Sequence, residues 1–149
     1  MKKLLLVLSI SLFTFIEINA QVEYKIVTSI ESIVPNGLGR SRIISSNENK
    51  DYKTFTSTQT EEDNTRNKSK RSDIRVKDYD ETKLLNFFNI GGIRFQNIAA
   101  NDAVISSKIN AMVADGWELA FVSSAVESDS GKGDNHGIFI TRYIFKRNK

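Results

Sequence analysis

The sequence contains no cysteine, and it has only one histidine, one proline and one tryptophan among its 149 residues. The absence of cysteine excludes disulfides, thiol nucleophiles, iron–sulfur clusters and zinc–thiolate sites. A serine hydrolase needs a base beside its nucleophile, and His136 is the one histidine that could serve. No Gly-x-Ser-x-Gly motif accompanies it. The sequence therefore favours a non-catalytic protein that is stabilised by packing.

The excess of positive over negative charge is also small. The chain has 21 lysine and arginine residues against 18 acidic residues, which gives a formal net charge of +3 at pH 7. Nucleic-acid-binding proteins neutralise many phosphates and are usually strongly basic. We therefore expect no nucleic-acid partner.

The first 20 residues, MKKLLLVLSISLFTFIEINA, have the pattern of a secretory signal. Lys2 and Lys3 precede 13 uncharged residues, and Ala20 is a small residue at the expected cleavage point. A transmembrane helix needs about 20 apolar residues, so this run is too short to span a bilayer. We expect a signal peptide over 1–20 and an exported protein, periplasmic or secreted, with no stable membrane span after cleavage.

Three segments alternate apolar and polar side chains and predict strands. Residues 22–30 predict a half-buried strand, and residues 137–145 are apolar on both faces, which predicts a central strand. Residues 117–126 predict a third. The apolar face of the first is expected to hold Val22, Tyr24, Ile26, Thr28 and Ile30. One face of the third is expected to hold Trp117, Leu119 and Phe121.

Two helices are predicted. The main one spans 102–114, with Asn101 or Asp102 as its cap and Gly116 after its last turn. Its apolar stripe consists of Ile105, Ile109, Met112 and Val113. A second helix is predicted over 81–90. Together these elements predict an α+β fold, in which an antiparallel sheet of about four strands carries the helices on one face.

The middle of the chain is polar. Residues 51–58 and 73–79 predict short strands, whereas the stretch at about 58–73 has no large apolar side chain before Ile74 and predicts a mobile insertion. The remaining length, 21–149, is that of a single domain.

Part of this pattern resembles a known family. The chain has a strand beginning Tyr24-Lys25, the helix at 102–114, "DGWEL" at 115–119 and "YIFKR" at 143–147. This order resembles the DUF4177 domains, and the chain is also similar to exported proteins of unknown function from the Bacteroidetes. The resemblance implies an α+β fold and no assigned catalytic residues. Residues 33–100 depart from it as an insertion between the first strand and the helix.

The segment IVPNGLGRSRII, residues 33–44, predicts a turn between two strands, because Pro35 and Asn36-Gly37 are strong turn formers. A turn does not require two arginines, however. Arg40 and Arg42, beside the backbone of Gly39, form a candidate site for an anion or an acidic partner. The alternative is that they pair with Glu31 or another nearby acid.

The loop at 126–137 is the other candidate site. Asp129, Asp134 and His136 are close in sequence among glycines and form a candidate cation site, although their spacing does not match an EF-hand. The alternative is an exposed hairpin tip. No resident metal and no cofactor are expected.

The leading functional hypothesis is an exported, non-catalytic domain that binds a protein or small ligand in the cell envelope. One alternative is a small hydrolase or metal-dependent enzyme centred on the 126–137 loop. The other is a structural component of an envelope complex.

Overall fold

The computed structural model describes residues 21–34, 40–128, 132 and 137–149. Its strands are β1 (Val22–Ser32), β2 (Arg42–Ser46), β3 (Tyr79–Lys83), β4 (Phe88–Asn89), β5 (Gly92–Ile93), β6 (Glu118–Glu127) and β7 (Ile138–Asn148). Its helices are a 3₁₀ turn (Tyr52–Phe55), α1 (Arg71–Ile74) and α2 (Phe95–Ala114). An antiparallel five-stranded sheet has the order β3-β2-β1-β7-β6, and β4 and β5 form a separate hairpin. The α+β prediction is confirmed, with five strands rather than about four, and β7 is an interior strand as predicted.

The core lies between α2 and one face of the five-stranded sheet. Its buried apolar side chains are Val27, Ile43, Leu84, Met112, Trp117 and Phe145. Ile105 and Ile109 pack against this cluster and are half-buried. The predicted stripe of α2 therefore faces the sheet, except that Val113 is exposed.

The alternation predicted for β1 is present, but its more apolar face is not the buried one. Val27 and Ser29 face α2 and are buried, whereas Tyr24 and Ile26 lie on the opposite face and are exposed. The reason is that α2 covers one face of the sheet, whereas no described helix or sheet packs as a second layer on the other. We call this uncovered side the open face.

A bulge in β6 changes which side chains share a face. Leu119 lies opposite the buried Phe145, but the register shifts between Leu119 and Phe121, so that Phe121 lies opposite Ile144. One extra residue reverses the direction of every side chain that follows it. The prediction that Leu119 and Phe121 share a face is therefore wrong, and Phe121 belongs to the open face.

The helix predicted over 81–90 is wrong, because residues 79–83 form β3 and pair with β2. Leu84 is buried and Leu85 is exposed. Neighbouring side chains point to opposite sides in an extended chain, whereas the predicted helix would have placed both leucines on one buried face. The next residues form the β4–β5 hairpin, in which Gly92 has φ of +101°. The ladder to β2 replaces the backbone hydrogen bonds that a helix would have made.

The main helix begins at Phe95, seven residues before its predicted start. Asn101, predicted as a cap, is instead a buried residue inside α2, and its side chain hydrogen-bonds to residues outside the helix. Tertiary partners thus satisfy the amide that would otherwise have favoured a helix end.

The strands predicted at 51–58 and 73–79 are also wrong. The first region contains the 3₁₀ turn, the second contains the end of α1, and β3 begins only at Tyr79. From residue 46 to residue 83 no side chain is buried. This excursion contributes no buried side chain to the core. Its shape is held by local hydrogen bonds and by hydrogen bonds that join its two ends.

Candidate binding groove on the open sheet face

An open groove of about 350 Å³ lies on the open face. Its floor is formed by Ile26 and Thr28 of β1 and by Ile44 of β2, and Val76 and Tyr79 form a wall. Ser45 and Ser46 complete the lining. None of these residues is charged. Cavities of roughly 300–1,000 Å³ that are mainly apolar, with a few hydroxyl groups, are typical small-ligand or side-chain sites.

Glu48 holds the wall in place. Its Oε1 atom accepts hydrogen bonds from the backbone N–H groups of Lys77, at 2.6 Å, and Asp78, at 2.8 Å. The Lys50 ammonium group lies 2.8 Å from Oε2. The backbone N–H of Asn47 donates to the Asp78 carbonyl at 3.1 Å. These bonds fix the chain just after Val76 against the end of β2. They do so although the stretch from residue 46 to residue 83 has no buried side chain.

The electrostatics of Glu48 agree with this geometry. The hydrogen bond from Lys50, followed by those from the Lys77 and Asp78 N–H groups, lowers the pKa of Glu48 from 4.5 to about 2. The carboxylate is therefore ionised throughout the ordinary pH range.

The apolar surface continues beyond the groove across the sheet. Ile26 lies opposite Ile144, and Ile144 lies opposite Phe121, so the three form one cross-strand row. Tyr24 is 64% exposed and Phe121 is 61% exposed. Aromatic side chains with this exposure on one continuous face are characteristic of an interaction surface. The alternation in the sequence predicted which residues of β1 share this face. Only the sheet topology shows that no described helix or sheet packs on it.

The predicted anion site is only partly described. Gly39 lies outside the described residues. Arg42 forms an ion pair with Glu81 of β3 at 2.9 Å, and its Nε donates to the carbonyl of Arg40 at 3.2 Å. The expected alternative, pairing with a nearby acid, is thus realised, but with Glu81 rather than Glu31. Arg42 is thus engaged with β3, and the anion site at Gly39, Arg40 and Arg42 stays a prediction.

The candidate cation site, Asp129, Asp134 and His136, lies outside the described residues. Within the part of the chain that the structure describes, no group of three or more histidine, aspartate and glutamate side chains could hold a metal ion. The described ends of this loop and of the 33–44 segment lie at the same end of the sheet, since the Ile33 N–H donates to the Gly137 carbonyl at 3.1 Å.

A polar network near that end ties α2 to the sheet. The amide of Asn101 accepts from the Leu85 N–H and donates to the Leu85 carbonyl and to Glu31, each at 2.8 Å. Burial raises the pKa of Glu31 above 4.5, the Asn101 hydrogen bond lowers it, and the charge of Asp102 raises it. The Asn101 amide thus joins α2 both to Leu85 and to Glu31 of β1.

Trp117 belongs to the core. It is buried, and the guanidinium of Arg147 lies 4.2 Å from its ring centroid. Arg147 is in turn paired with Glu23 at 3.0 Å. A ring that is covered in this way offers no platform for a ligand.

No protein-family model, curated protein or solved structure matches this chain. The resemblance to DUF4177 domains therefore stays a prediction. In the described residues, no helix is both long and apolar enough to cross a membrane.

Proposed function

We propose that this chain is an exported, non-catalytic binding domain whose open face receives an apolar group of a partner or a small apolar ligand. The observation that carries the proposal is the uncharged groove lined by Ile26, Ile44, Val76 and Tyr79. Transferring apolar surface out of water contributes about 25 cal/mol per Å² buried, so covering this face is favourable. A charged ligand would gain no partner from the groove lining.

The open face is large enough for a specific contact. At about 3.3 Å per residue, β1, β6 and β7 are roughly 33–36 Å long and β2 and β3 roughly 16 Å. With strands about 4.8 Å apart, the five-stranded sheet presents a face on the order of 650 Å² before side-chain relief is counted. A standard protein–protein interface buries about 800 Å² on each partner. The open face thus approaches the size of one side of such an interface.

The test is a cross-linking capture in the native host with the full-length chain. Ile26→Glu places a charge on the groove floor, and Val113→Glu is the matched control, since these aliphatic side chains are 49% and 54% exposed on opposite sides of the molecule. We expect Ile26→Glu to lose its specific partners while the control retains them. If the partner is a small ligand, native mass spectrometry of the two purified variants should find it bound to Val113→Glu and not to Ile26→Glu. Equal capture or equal ligand retention by both variants contradicts the proposal.

Export is part of the proposal and has its own test. The signal-like segment 1–20 supports cleavage after Ala20. Mass spectrometry of the periplasmic or secreted protein should find Gln21 at the N-terminus. An intact Met1 in a membrane fraction would contradict it.

A further inference from the structure

The outer edge of β6 is a second surface, separate from the groove. β6 is an edge strand of ten residues, and among the described residues only β7 pairs with it. Soluble proteins usually protect such edges with a charged side chain, a proline or a very short strand. Residues 119–126 of β6 contain neither a charge nor a proline. The edge thus keeps its backbone groups available for another strand.

Both faces of this strand carry apolar side chains that the rest of the molecule leaves uncovered. Val122 lies opposite Tyr143, a residue that packs against the core, so Val122 points to the same side of the sheet as α2. Val126 points to that side as well. These valines are nevertheless 44% and 56% exposed, because α2 does not extend over the edge. A further element beside β6 would cover them.

We propose that the occupant of this edge is β6 of a second copy of the chain, paired antiparallel about a two-fold axis at Ser124. The bulge between Leu119 and Phe121 leaves 121–127 as the regular part of the strand, and Ser124 is its midpoint. Pairing about that residue therefore uses the whole regular stretch. The two five-stranded sheets then join into one continuous sheet.

This register also places matching side chains opposite each other. Val122 of each copy faces Val126 of the other on the α2 side of the sheet, and such β-branched cross-strand pairs are favourable. Phe121 faces Glu127 of the other copy. The full-strand register would instead place Glu118 opposite Glu127 at both ends, and like charges directly opposite are unfavourable. The valine pairs and the charges at the strand ends thus both favour the register centred on Ser124 over the full-strand register.

A disulfide test reads the register directly, since the chain has no cysteine of its own. Residues directly opposite in an antiparallel pair have Cα atoms about 4.5–5.5 Å apart, which is within the range of a disulfide, about 4.4–6.8 Å. Ser124→Cys should therefore oxidise to a covalent dimer. Ser123→Cys is the matched control, because in this register its two copies are diagonal, about 7–8 Å apart. A non-reducing gel should show several-fold more dimer for Ser124→Cys. Equal yields, or more dimer for Ser123→Cys, overturn the register.

Charge exchange tests the association without a covalent bond. Val122→Lys with Val126→Lys makes one variant, and Val122→Glu with Val126→Glu makes the other. By sedimentation, the unmodified chain should be dimeric, each variant alone monomeric, and an equimolar mixture of the two dimeric again. A monomeric unmodified chain, dimers of either variant alone, or no association on mixing overturns the proposal, and circular dichroism verifies that both variants fold. The open face is untouched by these changes, so this result is independent of the proposed partner binding.

Discussion

The side-chain carboxylate of Glu48 accepts a 2.6 Å hydrogen bond from the backbone N–H of Lys77. This bond joins the end of β2 to the chain entering β3, between residues 29 positions apart in the sequence, and the stretch between them has no buried side chain. It fixes the chain next to Val76, while Tyr79 is placed by its pairing with Ser46 of β2. Loss of the charge should therefore loosen the groove.

The first prediction concerns acid. Because the folded-state pKa of Glu48 is about 2 and its ordinary value is 4.5, its stabilising contribution is complete above pH 4.5 and is lost as the pH falls towards 2. Glu48→Gln should lower the melting temperature at neutral pH, and the difference from the unmodified protein should disappear near pH 2. Thermal melts across this range measure it. Glu62→Gln is the control, since no described backbone N–H donates to that carboxylate. A difference in melting temperature between Glu48→Gln and the unmodified protein that does not change with pH would contradict the assignment.

The second prediction concerns Asn101. Asn101→Ala leaves the N–H and carbonyl of Leu85 without their partner, and each stranded group costs roughly 1–3 kcal/mol when it is kept from water. We expect the free energy of unfolding to fall by at least about 1–3 kcal/mol, measured by urea denaturation. Ser106→Ala, an exposed change on the same helix, should have almost no effect. Equal losses for both variants would show that Asn101 does not anchor the 84–87 segment.

The third prediction concerns the packing of α2. Met112 is buried, so Met112→Ala should lower the free energy of unfolding by about 2–5 kcal/mol. Ile109 is half-buried, so Ile109→Ala should lower it by less, about 1–2 kcal/mol. Val113→Ala, on the exposed side, should cost less than about 1 kcal/mol. Chemical denaturation ranks the three. The opposite order would mean that α2 presents a different face to the sheet.

The fourth prediction concerns the ion pair between Arg42 and Glu81. Both side chains are partly exposed, so a double-mutant cycle with glutamine at each position should give a coupling of about 0–1 kcal/mol that weakens with salt. Because Arg42 is already paired, Arg40→Gln with Arg42→Gln should leave partner capture intact. Salt-sensitive capture that disappears in this double variant, with an unchanged melting temperature, would support the anion-site hypothesis instead.

Local patterns in the sequence predicted those elements whose packing depends on residues close to each other in the sequence. Ile109 and Met112 are one turn apart, and their spacing on α2 is sufficient to predict the buried face. The apolar character of both faces of β7 likewise predicts an interior strand. The helix predicted over 81–90 failed because its partner, β2, lies about 40 residues away, and pairing across that distance has no local signature.

The sequence by itself determined the class of fold, the C-terminal part of the main helix, one interior strand and the absence of thiol chemistry. The tertiary structure alone decided which face of β1 is covered, because one helix layer can bury only one face of a sheet. It also decided that Phe121 joins Ile26 on the open face, since a bulge of one residue reverses the side chains after it. The groove has the same origin: Ile26, Ile44 and Val76 come from three separate segments, and only long-range strand pairing and the Glu48 hydrogen bonds bring them together.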